Sequence, residues 1–488
     1  MVIPRCLLTA LCGMVWLTYA QTEDDFYKRV TIPVPDGIKL EVSGLETLPG
    51  GRIAAATRKG EVWILDNVYD DLPVKVKYQR FAFGLHEPLG LVWRDGSLLS
   101  MQRTELTRLR DVNQDDVADE YLTVAKGWGV TGNYHEYAYG PKFDGAGNMW
   151  VTLNSSIGEK LTKEDQWRGW SLMIRPDGTW APMSAGMRSP SGIGINAAGD
   201  VFYTDQQGNW VPTNNLHHIR RGVFHGHPDS LKDSGRPESP VKLDRAGIVQ
   251  GIPITEAARR IPNFVLPAIW FPYRKMGMSA TDVVTDETGG KFGPFGGQLF
   301  VGDFTLSLVM RVWLEKVGGE YQGACFPFRA GFDSAIVRLG WGRDGSLFAG
   351  LTNRGWNSLG TRSYGLQRLV WSGKTPFEVL RMAAQPDGFA LEFTKPVEAK
   401  AAGDTASYQM SSYTYLYHQT YGSPEIETKE LKVTAARVSA DRKTVRLTVD
   451  GLREGYVHEL NLPGVRSESA EKLLHPAAYY TLNRLPKW

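Results

Sequence analysis

The chain has 488 residues, with 55 Lys and Arg against 53 Asp and Glu, a net charge of +2. So even a balance, with no run of Lys or Arg, excludes nucleic acid or an anionic membrane surface as the dominant partner. The length admits one large domain and a smaller one, and 53 Gly with 15 Trp suit a turn-rich β protein packed on aromatic rings.

The N-terminus reads as a secretory signal over residues 1–20. Arg5 supplies the positive charge, Cys6 to Trp16 the apolar stretch, and Thr18-Tyr19-Ala20 a small-x-small cleavage site before Glu23-Asp24-Asp25. This predicts export to a bacterial periplasm or the cell exterior. No later segment approaches the ~18 apolar residues of a membrane span, so none remains after cleavage. Cleavage also removes Cys6 and Cys12 and leaves Cys325 as a buried thiol with no disulfide partner.

Residues 21–372 repeat one pattern: apolar strand, glycine turn, second strand, short gap, third strand. It is clearest in Ser189–Asp205, where Gly199 turns into the strand Val201–Asp205, whose alternation predicts one face on a core and one outward. The turn glycines are Gly51, Gly96, Gly147, Gly199, Gly297 and Gly345, spaced by 45, 51, 52, 98 and 48 residues. A period of that size predicts an all-β fold, a six-bladed β-propeller, with the long gap an insertion over 226–272 rather than a seventh blade. Beyond Trp371 the character changes. Strands at 388–393, 432–438, 444–449 and 456–460 predict an immunoglobulin-like β-sandwich over residues 373–488. The aromatic run from Tyr413 to Tyr421 reads as core or inter-domain packing, or else as a carbohydrate platform.

Asp111-Val112-Asn113-Gln114-Asp115-Asp116-Val117-Ala118-Asp119-Glu120 carries oxygen ligands at the spacing a hard cation needs. Asp111, Asn113, Asp115, the carbonyl of Val117, Asp119 and Glu120 are its candidate Ca²⁺ ligands, although Asp116 stands where such loops carry Gly. His135, just ahead of the third repeat, is placed as a general base near the axis. His86-Glu87 occupies the equivalent entry to the second repeat, and Arg188 precedes the fourth. His217-His218 and His225-Gly226-His227 have metal-like spacing, but no carboxylate or thiolate completes a set. No Cys-x-x-Cys-His, phosphate loop or Gly-x-Ser-x-Gly is present.

Gly186-Met187-Arg188-Ser189-Pro190, the Gly199–Asp205 strand and Asn215–Pro228 occur in an order similar to the motif progression of soluble quinoprotein glucose/sorbosone dehydrogenases. Gly297–Asp303 and Asp344–Phe348 resemble that family's last two blades, and the resemblance extends over roughly residues 30–370. It looks closest to a secreted dehydrogenase-like subgroup, without the cytochrome domain of its larger members. The resemblance implies a six-bladed propeller binding pyrroloquinoline quinone and Ca²⁺, acting on a sugar or other alcohol and passing electrons to a separate carrier protein. It implies His135 as catalytic base and Arg188 as quinone ligand, with Ser189 where the family has Asn. The family's quinone-clamping Lys falls at about Thr305, and its paired Arg at about Ala335 and Val337. Replacement cations come from other loops, Arg274, Lys275 and Arg354, with His86 and Glu87 at the same face. Two readings stand: a quinone-dependent oxidoreductase, and a non-catalytic carbohydrate- or protein-binding propeller on the same scaffold.

Overall fold

The structure is a computed structural model that describes residues 21–158 and 164–488; the signal segment expected over 1–20 lies outside the described residues. The chain is all-β and propeller-like. Six antiparallel units of four strands follow one another, five as separate sheets and the fifth as part of a nine-stranded one, with first strands Val42–Thr47, Leu91–Arg94, Ala138–Phe143, Gly192–Ile195, Ala280–Thr285 and Ile336–Trp341. Each first strand packs on the first strand of the next sheet, and that of the sixth returns to the first, so the series closes on itself. Tyr27–Ile32 supplies the outermost strand of the sixth sheet, paired from Tyr27↔Trp371 to Ile32↔Leu366, which ties the N-terminal segment to the last repeat.

All six repeat glycines stand between the first and second strands of their sheets and take φ between 76° and 90°. The expected half-exposed alternation does not hold at Val201–Asp205. All five of its residues are buried, as are those of Ser97–Met101, Met149–Leu153 and Leu299–Asp303. The reason is that each sheet is covered by a neighbour on either face, so polar members of the strand turn to the next sheet instead of to water. Thr204 donates to the Thr281 carbonyl at 2.7 Å and Thr152 to the Pro190 carbonyl at 3.1 Å.

The 98-residue gap holds no extra sheet of this kind. Strand 214–218 is the third of the fourth sheet, and its fourth, Ile269–Phe271, follows an excursion carrying the short helix Ile254–Arg260. After Trp371 two further β layers share a core that includes Phe389, Leu447, Leu460 and Tyr480. They are not detached from what precedes them. Strand Ala477–Leu482 pairs with Glu320–Arg329 through Cys325↔Tyr479, so one of these layers continues the fifth sheet. Tyr413, Tyr415 and Tyr417 are buried there, while Tyr421 is exposed. Cys325 is buried and free, its thiol pKa pushed up by burial.

Near the axis the strands approach so closely that only glycine fits. A Cβ on Gly90 would lie 1.9 Å from the Gly140 carbonyl oxygen, which is backbone and cannot swing away. Gly90→Ala is therefore expected to cost about 3 kcal/mol. Gly96→Ala, at a left-handed turn with no neighbour within 4 Å, is expected to cost about 1 kcal/mol. Denaturant unfolding of the two variants checks the contrast, and equal losses would refute the close-packing argument.

Candidate functional site at the axis

His135 is buried in the turn leading into the third sheet. Its Nδ1 lies 2.7 Å from the Ser155 carbonyl, which can only accept, so Nδ1 carries the proton and Nε2 presents a lone pair. Ser189 Oγ sits 2.9 Å from that Nε2, and Arg188 Nη1 donates to the same Oγ at 2.9 Å. The residue standing in place of the expected Asn thus links the two predicted site residues, Arg188 to Ser189 to His135. Burial, reinforced by the charge of Arg188, drives the imidazole pKa down to about 3, so His135 is a neutral acceptor at ordinary pH. Asp205 organises the turn from behind: its carboxylate accepts the amides of Arg188 and Ser189 at 2.9 and 2.7 Å, and burial lifts its pKa to about 6.

His135 lines a chamber of about 40 Å³ together with Arg58, Tyr137, Asn154, Gln206 and Arg338. Phe304 and Trp356 also line it, their rings 4.3 Å apart, and Trp356 Nε1 donates to Thr305 Oγ1 at 3.0 Å. Asn154 Oδ1 is buried with no partner. Such an acceptor costs free energy unless a donor is supplied, so it leaves room for a ligand hydroxyl. Sequence reasoning missed Asn154, although its position is legible in retrospect. It directly follows the second strand of its sheet, as Gln102 does in the second, while the fourth and fifth end in Asp205 and Asp303.

The other predicted residues disperse. Glu87 is clamped between Arg58 and Arg103, whose Nε atoms stand 2.9 and 2.8 Å from its carboxylate, while His86 is exposed. The equivalent Glu136 is buried on Thr131 and Ser156, so the glutamates of the repeated His-Glu pair serve different partners, and of the two histidines His135 lines the chamber. Lys275 is held by Glu425 and Glu459 at 2.8 and 2.7 Å. Arg354 pairs with Glu41 at 3.0 Å, and Arg274 lies over Tyr273. None of these three lines the chamber. Ala335 and Val337 are buried apolar residues. The neighbouring Arg338 fills the axis on the carbonyls of Ser43, Leu89 and Ser191.

At 111–120 the acids close their own loop. Asp111 accepts the amides of Gln114, Asp115 and Asp116, Asp119 those of Val112 and Asn113, and Asp115 that of Val117. Asp116 takes φ 64° in place of the usual Gly and holds Arg52 at 2.8 Å, bracing the first sheet against the second. Glu120 turns to Arg110 at 3.2 Å instead of into the loop. His217 and His225 touch through their Nδ1 atoms at 3.2 Å within the fourth sheet and its insertion. Among the described residues, no group of three or more His, Cys, Asp or Glu is placed to hold a metal ion.

A domain-of-unknown-function model (DUF7133) matches residues 39–348, and the chain belongs to that family. A search of curated proteins finds no match. Among solved structures, an oxidoreductase (glucose dehydrogenase) from Thermus thermophilus is 18% identical, with a TM-score of 0.52 over 70% of this chain and all of that one. The PQQ-bound aldose sugar dehydrogenase of Streptomyces coelicolor is 14% identical over 71% of this chain and 98% of its own, with a TM-score of 0.49. The holo PQQ domain of pyranose dehydrogenase from Coprinopsis cinerea is 11% identical over 70% and 97%, with a TM-score of 0.47. The fold is thus shared with the Thermus thermophilus structure. Among the described residues no helix is long and apolar enough to cross a membrane.

Burial holds His135, His217 and His458 at about 3 and His218 and His227 at about 4, all below their unfolded value. For these groups stability is full above pH ~6.5 and is lost as pH falls through their folded values. His475 goes the other way. Burial opposes its charge, yet Glu378 and Glu23 raise its pKa to about 9, so its contribution is full below pH ~6.5 and lost as pH rises through 9. Thermal unfolding from pH 4 to 10 is expected to peak near neutrality, with the acid side steeper. A Tm that is flat between pH 4 and 6.5 would contradict the buried neutral histidines.

Proposed function

We propose that this chain is an exported six-bladed propeller with an immunoglobulin-like sandwich, of the glucose/sorbosone-dehydrogenase-like type. In this reading residues 21–372 form the propeller and 373–488 the sandwich, and the axial site binds a small polyhydroxylated, carbohydrate-class ligand. The observation that carries it is the pairing, in one chamber, of a neutral His135 Nε2 with the unpartnered Asn154 Oδ1. Both are acceptors, and both suit ligand hydroxyls. Ser189 Oγ–H donates to Nε2, so a ligand hydroxyl would take the place of Ser189 there, while the Ser155 carbonyl fixes the ring's orientation and tautomer.

Pyrroloquinoline quinone does not fit the residues as they stand. A chamber of about 40 Å³ admits a hydroxyl group of a ligand that lies at its mouth, and not the fused rings of the quinone. Of the cations expected to hold its carboxylates, only Arg188 reaches the site, through Ser189, and the guanidiniums that line the chamber are spent, Arg58 on Glu87 and Arg338 on backbone carbonyls. No step is therefore routed through the quinone, and the reading favoured is the binding one. Quinone-dependent alcohol oxidation, with a separate electron carrier, is the second reading, supported by His135 being a neutral, oriented base. Calcium is proposed only at Asp111, Asn113, Asp115, Val117 and Asp119, as a weak brace on a loop that closes without it; millimolar Ca²⁺ is expected to raise Tm by less than ~2 °C.

Two measurements test this. Aldoses and polyols at millimolar concentration should raise the Tm of the wild-type chain, and Asn154→Ala and His135→Ala should abolish the shift. The protein supplied with pyrroloquinoline quinone and Ca²⁺ should show no dye reduction with aldoses. No sugar-dependent shift would overturn the binding reading, and quinone-dependent dye reduction would establish the second in its place.

A further inference from the structure

Arg188 is hydrogen-bonded into this site through Ser189, and its surroundings leave it unfinished, whereas the chamber's own guanidiniums are satisfied, Arg58 on Glu87 and Arg338 on backbone carbonyls. It is 8% exposed, yet among the described residues no carboxylate forms an ion pair with it. The nearby acid, Asp205, is spent on the amides of Arg188, Ser189 and Gln206. One guanidinium nitrogen, Nη1, is used on Ser189, while Nε is buried without a partner. His227, near enough to feel the charge of Arg188, is also buried and leaves Nδ1 unpartnered. A buried charge without a partner is strongly destabilising, and a guanidinium is shaped to receive a carboxylate by two parallel hydrogen bonds.

The wall of this seat comes from the C-terminal region. The hairpin between Gln409–Tyr417 and Glu425–Leu431 lies on the loop after Asp205. Gly422 N–H donates to the Gly208 carbonyl at 3.0 Å, Ser423 N–H to Pro212 at 2.9 Å, and Asn209 Nδ2 to Gln419 at 2.9 Å. This places the Tyr421 ring 5.4 Å from Arg188 Cζ. On the other flank a Cβ at Gly208 would lie 2.0 Å from the guanidinium, so only glycine lets the group rest there. Tyr421 and Tyr134, 62% and 66% exposed, are the solvent-side groups at Arg188 and His135.

We propose that the ligand of this site is a hydroxy-carboxylate of the sugar-acid class, an aldonate or uronate. Its carboxylate sits on Arg188 against Tyr421, and a hydroxyl enters the chamber at His135 and Asn154. This rests on the carbohydrate reading above and adds the requirement for charge. It also gives the C-terminal hairpin a role in the site.

The test is calorimetric titration of the full-length chain with D-glucuronate, D-gluconate, D-glucose and inorganic phosphate. The sugar acids are expected to bind roughly tenfold tighter than glucose, a preference that shrinks as salt rises. Arg188→Gln should bring the acids down to whatever affinity the same variant shows for glucose, and Tyr421→Ala should narrow the ratio of acid to glucose affinity several-fold. Should Arg188→Gln unfold, Arg188→Lys keeps the charge, loses the fork, and should cut the preference to a few-fold. Equal affinity for glucose and glucuronate would refute the proposal and leave the carbohydrate reading standing. Phosphate binding as tightly as glucuronate would also refute it, showing a bare anion seat. Binding of neither glucose nor sugar acids would refute both readings together.

Discussion

One guanidinium holds the centre of this molecule. Arg338, in the first strand of the sixth sheet, donates to the carbonyls of Ser43 in the first sheet, Leu89 at the entry to the second and Ser191 at the entry to the fourth, at 2.9, 2.8 and 3.0 Å. It lies 4.8 Å from the ring of Tyr139 in the third sheet, and Asp282 of the fifth offsets its charge. Burying such a charge is unfavourable unless nearly every donor is matched. Here the matching acceptors are backbone carbonyls at the inner ends of the sheets, groups that would themselves be costly unpaired. Donor and acceptors thus solve each other's problem only when the sheets converge. Arg338 also divides the axis, bordering the chamber of about 40 Å³ on one side and a void of about 20 Å³ on the other, so the site is a shallow pit and not a channel.

The site grows out of a device the fold uses repeatedly. A polar side chain at the end of a second strand grips the segment that leads into the first strand of the same sheet. Gln102 accepts the amide of His86, Asp205 those of Arg188 and Ser189, and Asp303 those of Met278 and Ser279. In the third sheet the residue in this place, at the same distance from its repeat glycine, is the apolar Leu153, and the next residue, Asn154, has an Oδ1 that grips nothing and an Nδ2 that approaches His135 at 3.5 Å. One repeat lacks the structural acceptor, and the polar atom beside that position is open to the chamber.

This explains which features were readable in the sequence. The repeat glycines were legible because a turn with positive φ selects Gly locally, whatever packs around it. The position of His135 beside the axis was legible for the same reason, since the repeat sets its place. Relations between repeats were not. Nothing local in Ser189 says that it bridges Arg188 to His135, 54 residues earlier. Nor does local alternation report that a neighbouring sheet covers the second face of Val201–Asp205. The N-terminal strand that joins the sixth sheet was missed too, because its partner lies more than 330 residues away. The continuity of the fifth sheet into the C-terminal layers is likewise a pairing that only the folded chain defines.

The C-terminal layers bear on the chemistry in two opposite ways. They remove a cation from the cofactor's reach, because Lys275 is held between Glu425 and Glu459 with Tyr413 beneath it. To serve a quinone, Lys275 would have to leave two carboxylates for one ligand, which would strand those acids beside a buried tyrosine. The same layers bring Tyr421 to Arg188, an expected cation that has no acid of its own among the described residues. Arg58 and Arg338 border the chamber but are spent on Glu87 and on backbone carbonyls, which leaves Arg188, beside a neutral imidazole, as the guanidinium there without an acid or a carbonyl set of its own among the described residues. That is too little for a molecule with several carboxylates and is matched to a ligand that carries one.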